Sequence, residues 1–167
     1  MSCLQVRDYS AMLREVARVL RPGGLFVSCE WGRYVAFDPS FRQVPAIDAP
    51  STVQFFDAIT NALAARGIQP LAHQIPTFIT NSGCFSDITV EQNSIPIGVW
   101  PSDVLLQNIG ADCLKVHKRY ADSSKPLLLS AGWSEAALER IITDYIEEIH
   151  SVSGLVSVLH TVHARRL

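Results

Sequence analysis

Five consecutive residues, Glu30-Trp31-Gly32-Arg33-Tyr34, place a carboxylate, an indole, a guanidinium and a phenol side by side at the end of an apolar run. A carboxylate in such a place can orient a polar ligand or act as a general base, or simply be solvated. The guanidinium of Arg33 either pairs with Glu30 or holds an anionic ligand, and pairing is the expectation. Trp31, Tyr34 and the distant Trp100 can wall a small-molecule pocket, although aromatic residues at loop ends also serve as ordinary packing. These five, Glu30, Trp31, Arg33, Tyr34 and Trp100, are the candidate substrate residues, and no residue is assigned a catalytic role.

Other chemistry finds little support. His73, His117 and His150 lie far apart, with no acidic or cysteine partner at useful spacing. His160 and His163 are three apart on an expected strand and should point to opposite faces, which argues against a shared metal. The G-x-S-x-G string of a nucleophile elbow is absent. Cys3, Cys29, Cys84 and Cys113 form no C-x-x-C pair, so neither a zinc site nor a disulfide framework is expected. They read as reduced, mostly buried thiols of an intracellular protein, placed in the cytoplasm with the nucleus as the alternative.

The elements that must position these groups follow from periodicity. Tyr9, Leu13, Val16 and Leu20 recur at helical steps, with Asp8 or Ser10 available as N-cap. Pro22-Gly23-Gly24 should stop that helix near Leu20 and turn the chain into a strand at Leu25-Phe26-Val27-Ser28-Cys29. This run is almost unbroken in its apolarity, as expected of a strand covered on both faces, and Glu30 would stand at its carboxyl end, where α/β sheets collect ligands. Residues 35–50, with three prolines, read as a loop, followed by a helix capped by Ser51 or Thr52 with Val53, Phe56, Ile59 and Leu63 inward. A short helix from Pro76 to near Gly83, a strand over Phe85 to Ile97, a long helix from Ser102 carrying Leu105, Ile109, Val116 and Tyr120, a short one over Lys125 to Ser130, another capped by Ser134, and a last strand over Leu155 to Ala164 complete the chain. Gly110 falls inside the long helix, where a bend or a close packing contact would explain it.

The totals narrow the class. The chain has 167 residues, 48% hydrophobic and 18% charged, which fits one globular domain rather than a disordered segment. A net charge of -2 offers no footprint for nucleic acid or an anionic membrane, and no apolar run reaches the roughly 20 residues of a membrane span.

Glu15-Val16-Ala17-Arg18-Val19-Leu20-Arg21-Pro22-Gly23-Gly24, the helix-turn-strand string, resembles the approach to the fifth strand of class I S-adenosylmethionine-dependent methyltransferases. Ser82-Gly83-Cys84-Phe85-Ser86-Asp87-Ile88 resembles the start of that family's sixth strand, with Cys84 inserted between glycine and aromatic residue. The closing stretch Leu159 to Arg166 resembles the seventh strand in fungal relatives. Together with Glu30-Trp31-Gly32-Arg33-Tyr34, Pro96-Ile97-Gly98-Val99-Trp100-Pro101 and Lys125-Pro126-Leu127-Leu128-Leu129, the pattern is similar to the fungal group that includes secondary-metabolism regulators. The resemblance implies an α/β fold, the carboxyl-terminal part of a Rossmann-like methyltransferase sheet spanning residues 1–167. It would have about three strands, covering helices and a helical cap inserted at 102–150, with the last strand antiparallel between the other two.

The resemblance covers only the second half of the family's domain. In that family the cofactor, S-adenosylmethionine, sits on the first half, at a Gly-rich turn, and none of the nine glycines here forms a G-x-G. Cofactor binding by this chain alone is therefore not expected, and the resemblance implies a truncated methyltransferase-like protein that is inactive by itself. Its ancestral reaction would methylate a small molecule or a protein. The alternative is a non-catalytic interaction module that pairs through an open sheet edge or the helical cap. In either case the strand from Leu25 to Trp31 should present an apolar edge that a protein partner could cover.

Overall fold

The computed structural model describes residues 8–167. Cys3, and the expectation that residues 1–6 hold no complete strand, lie outside the described residues. The elements in order are α1 (Tyr9–Val19), β1 (Leu25–Phe37), α2 (Pro45–Asp48), α3 (Pro50–Ala64), α4 (Ile75–Ser82), β2 (Phe85–Pro96), α5 (Val104–Ser130), α6 (Glu135–Ser151) and β3 (Leu155–Arg166). The sheet order is β1-β3-β2, with the last strand in the middle. Gly23 N–H donates to Arg166 O at 2.8 Å, at the start of β1 and the end of β3, and Ile97 N–H donates to Leu155 O at 2.9 Å, so β3 runs antiparallel to both neighbours. This is the mixed α/β arrangement expected of a partial methyltransferase-like sheet.

The chain forms two compact units, and each strand contributes residues to both. In the first unit, residues 8–32, 68–93 and 159–167, Tyr9, Leu13 and Ala17 of α1 pack with Ile75 and Ile79 of α4, Phe85, Val162 and Ala164. Helix α1 begins where Asp8 Oδ1 accepts the Ala11 N–H at 2.8 Å. It ends as expected before Pro22, and Gly23 takes a φ of 74° that a residue with a Cβ adopts only under strain. In β2, Asp87 has a φ of 50°, which slips the alternation of the strand and lets Phe85 and Ile88, three residues apart, join the same cluster.

Two expectations for β1 are corrected. The strand is not covered on both faces: Leu25, Val27 and Trp31 are 48%, 50% and 55% exposed, while Ser28 between them is buried. The cluster of α1 and α4 is on the Phe26 side only, so the alternate residues face outward. Nor does β1 stop near Glu30. It continues to Phe37, because Val35 and Phe37 pack into the second hydrophobic cluster, and the stretch expected to be loop starts only at Asp38.

The second unit, residues 33–67 and 94–158, is built on α3, α5 and α6. Phe55 stacks on Tyr145 with ring centres 4.1 Å apart, and Leu128, Leu138, Ile149 and Leu155 close the same core. Helix α3 starts at Pro50 behind Ala49, not at a Ser51 or Thr52 cap, and buries Thr52, Phe55, Phe56 and Ile59. Asp103, not Ser102, caps α5, accepting the Leu106 N–H at 2.9 Å.

Helix α5 departs from the sequence reading in phase and in length. It runs unbroken through Pro126 to Ser130, although an interior proline costs a helix about 3 kcal/mol. Ala121, Ser124 and Leu128 are buried on either side of that proline, so tertiary packing outweighs the local cost. Its inner face is Gly110, Cys113, His117, Ala121, Ser124 and Leu128, whereas Leu105 and Val116 are 67% and 55% exposed. The small residues allow close approach: a Cβ on Gly110 would lie 1.9 Å from Gly98 O, and Gly98 N–H donates to Gly110 O at 3.0 Å. Close packing, not a bend, is the reason for this glycine. Among the described residues no helix is long and apolar enough to cross a membrane.

Candidate functional site

Arg33 and Tyr34 of β1 meet α3 in the second unit. Asp57 and Thr60 are three residues apart, hence neighbours on one face of that helix. Arg33 Nε donates to Thr60 Oγ1 at 2.9 Å, and Tyr34 OH donates to Asp57 Oδ1 at 2.7 Å. The guanidinium carbon stands 4.8 Å from the centre of the Tyr34 ring, within cation-π range. Burial and then the bond to Asp57 hold the Tyr34 phenol above its usual pKa, so it stays protonated and acts as a donor. The cluster can offer a fixed cation and a neutral phenol; it has no activated nucleophile.

The expected Arg33–Glu30 pair does not form. Arg33 makes no ion pair among the described residues, and its side-chain contacts are to Thr60 and the Tyr34 ring. Glu30 and Trp31 precede it on β1 in the first unit, Glu30 partly buried and Trp31 exposed. Trp100 is occupied with packing: its Nε1–H donates to Leu155 O at 3.1 Å, and Phe41 meets its ring edge-on at 5.2 Å. Phe41 in turn presses on Gly154, where a Cβ would lie 2.7 Å from the ring.

Sequence reasoning missed Asp57 and Thr60. The available signal was Thr60 itself, a polar residue one step from Ile59 on a stripe otherwise apolar. It also missed a buried cluster in the second unit. His117 Nε2 is 2.7 Å from Ser157 Oγ, and His117 Nδ1 is bonded to the Tyr145 hydroxyl. Burial lowers the His117 pKa to about 4 and raises that of Tyr145. Burial likewise pushes the Cys113 thiol up against an opposing hydrogen bond from Ser157. All four side chains are thus neutral near pH 7, which suits a core network and leaves the serine without a charged relay.

The histidine readings divide. His160 is buried and His163 is not, as opposite faces require. In the first unit the His73 and His160 rings meet at 4.4 Å, a contact with no sequence signature. Among the described residues no three metal-ligating side chains gather. Cys29, Cys84 and Cys113 are free thiols, and Cys29, unlike the expectation of burial, is exposed.

No known family profile matches the sequence. The secondary metabolism regulator laeA of Coprinopsis cinerea is 26% identical over 171 residues, covering 96% of this chain. This chain spans 41% of that relative's length, falling on its carboxyl-terminal part. A solved structure of phospholethanolamine N-methyltransferase 2 from Haemonchus contortus, in complex with phosphomonomethylethanolamine and S-adenosylhomocysteine, aligns with 99% of this chain and 32% of its own. The TM-score there is 0.42 and the identity 16%.

Proposed function

We propose that this chain is the acceptor-side portion of an S-adenosylmethionine-dependent methyltransferase-like protein of the fungal regulator group, and that the 167-residue polypeptide does not transfer methyl groups by itself. The observation that carries this reading is the sheet order β1-β3-β2, with the last strand antiparallel in the middle. It is the arrangement that the helix-turn-strand and strand-start strings imply. The acceptor would be a small molecule or a protein, met in the second unit by Arg33 and Tyr34.

The residues present do not fit the cofactor. A sulfonium nucleoside of this kind is held where a Gly-rich turn lets backbone approach it. Among the described residues Gly98 follows a strand, β2, but its N–H is already spent on Gly110 O at 3.0 Å. Gly154 precedes β3 and is filled by the Phe41 ring. Methyl transfer requires the nucleophile to be held in line with the donor methyl, an effect that is lost when the donor is unbound. Isothermal titration of the purified chain tests this: no heat of binding is expected, and micromolar S-adenosylmethionine affinity would overturn the proposal.

A second reading is favoured by one observation, the edge position of β1 with Leu25, Val27 and Trp31 exposed along it. An edge strand with apolar side chains is a template for another chain. On this reading the protein is a non-catalytic module whose partner covers the Leu25 to Trp31 edge. Size-exclusion chromatography with light scattering separates the two: a discrete, stoichiometric complex with a complete homologue supports the module, and aggregation without one supports a truncated enzyme. With free thiols at Cys29, Cys84 and Cys113, we place the protein in the cytoplasm, with the nucleus as the alternative.

A further inference from the structure

We propose that Arg33 is the oxyanion-binding group of the β1–α3 face, placed to take the carboxylate or phosphate of a ligand through its two terminal nitrogens. It deepens the acceptor-side reading by giving the acceptor a chemical class, and it rests on that reading only for calling the ligand a methyl acceptor.

The arginine is fixed by one of its three nitrogens. Nε donates to Thr60 Oγ1 at 2.9 Å, and Thr60 is itself buried in α3. The guanidinium plane is further restrained by the Tyr34 ring at 4.8 Å, and that ring is pinned by its 2.7 Å bond to Asp57. Nη1 and Nη2 donate to nothing among the described residues, and no carboxylate lies within ion-pairing distance. Other arginines are used differently: Arg18 pairs with Glu15 on the surface, Arg66 spends Nη2 on Ser130, and Arg165 spends Nη1 on Gly23 O.

A guanidinium presents a planar fork that matches two oxygens of a carboxylate or phosphate, and the match is strongest when the fork is already oriented. At Arg33 the ordering has been done by Thr60 and Tyr34, and the end of the fork is left open. The Thr60 bond and the Tyr34 ring orient the guanidinium without using its terminal nitrogens, and no described carboxylate pairs with it directly. Asp57 limits the affinity for anions in general, because its carboxylate belongs to the same cluster. It therefore favours a ligand with two well-placed oxygens over a diffuse counterion.

The test is direct observation of the arginine side-chain nitrogens by NMR in the full 167-residue chain. Sodium phosphate and sodium acetate are titrated separately against sodium chloride at matched ionic strength. The expected result is a saturable shift of the Arg33 Nη signals with phosphate or acetate and none with chloride; which of the two binds more tightly distinguishes a phosphoryl from a carboxylate ligand. Arg33→Gln should abolish the saturable response, and Arg33→Lys, which keeps the charge without the fork, should weaken it about tenfold. Thr60→Val should weaken it about threefold by freeing the guanidinium, and Asp57→Asn should strengthen it by a similar factor. Equal responses to chloride, or a saturable response that survives Arg33→Gln in a folded chain, would sink the proposal. Neither outcome depends on S-adenosylmethionine, so failure here is distinct from failure of the methyltransferase reading.

Discussion

Glu148 reaches from α6 to the start of α3, where its Oε2 accepts the Thr52 backbone N–H at 2.6 Å. Its other oxygen accepts the Ser51 N–H at 3.1 Å. Helix α3 has no side-chain cap of its own, since Ala49 occupies the cap position and Pro50 has no N–H to satisfy. A carboxylate from another helix thus does the capping and complements the positive end of the α3 dipole. Glu148→Ala should lower stability by about 1 to 2 kcal/mol, seen as a lower urea midpoint with an unchanged slope. An unshifted midpoint would show that the cap is dispensable.

Thr52 is fully buried and its Oγ1 has no hydrogen-bond partner among the described residues. A buried hydroxyl without a partner costs more than the methyl that would replace it. Thr52→Val should therefore be neutral or stabilising by up to about 1 kcal/mol, the reverse of most core substitutions. Thermal unfolding decides it, and a clear loss of stability would mean that the hydroxyl is satisfied.

At Gly110 the conflict is steric. A methyl group there would overlap Gly98 O, a backbone atom that cannot step aside. Gly110→Ala should destabilise the second unit by more than about 3 kcal/mol, even though alanine is the better helix former. A melting temperature equal to or above the parent's would refute the contact.

His117 gives the fold a pH dependence. Its folded-state pKa, about 4, lies below the 6.5 of an unperturbed histidine. Between those values the unfolded chain binds the extra proton, so this contribution to stability is complete above pH 6.5 and is lost as pH falls toward 4. At about 1.4 kcal/mol per pH unit the full effect is roughly 3 kcal/mol. The buried His160, also lowered, adds in the same direction. Urea midpoints at pH 7.5 and 4.5 should show the loss, with a flatter profile in His117→Gln; an equal slope in both proteins would rule out His117 as the source.

The phase of α5 supplies another test. Leu105→Ser and Val116→Ser, on the exposed side, should each change stability by less than about 0.5 kcal/mol, whereas Ala121→Leu should cost about 1 to 3 kcal/mol through overpacking. Equal costs at all three positions would restore the face that periodicity suggested.

Helix α1 is legible from its apolar stripe and its Pro-Gly-Gly stop, which are local and agree with one another, while the choice between Asp8 and Ser10 as cap is settled by the structure. The α4 boundaries and the two later strands were legible for the same reason. Helix α5 was not, since its inner face before Leu128 is made of small and polar residues that carry little apolar signal; Leu105 and Val116 look like core only until Gly98 is known to be the neighbour of Gly110. Of the candidate site, Arg33 and Tyr34 were visible as residue types. Their partners Asp57 and Thr60 were not, because a hydrogen bond across 23 or 27 residues leaves no periodic trace.

The sequence by itself determined where most elements begin and end, which strings resemble methyltransferase strands, and that no Gly-rich turn is present. These depend on nearest neighbours and backbone preferences. Only the tertiary structure decided that β1 runs on to Phe37 with one open face, that Arg33 binds Thr60 instead of pairing with Glu30, and that His117, Tyr145, Ser157 and Cys113 meet in one core. Those outcomes turn on which surfaces are buried against each other, and burial sets the cost of every unpaired charge and donor. Arg33 carries its charge half-buried with two nitrogens open, a state that residue type alone could not reveal.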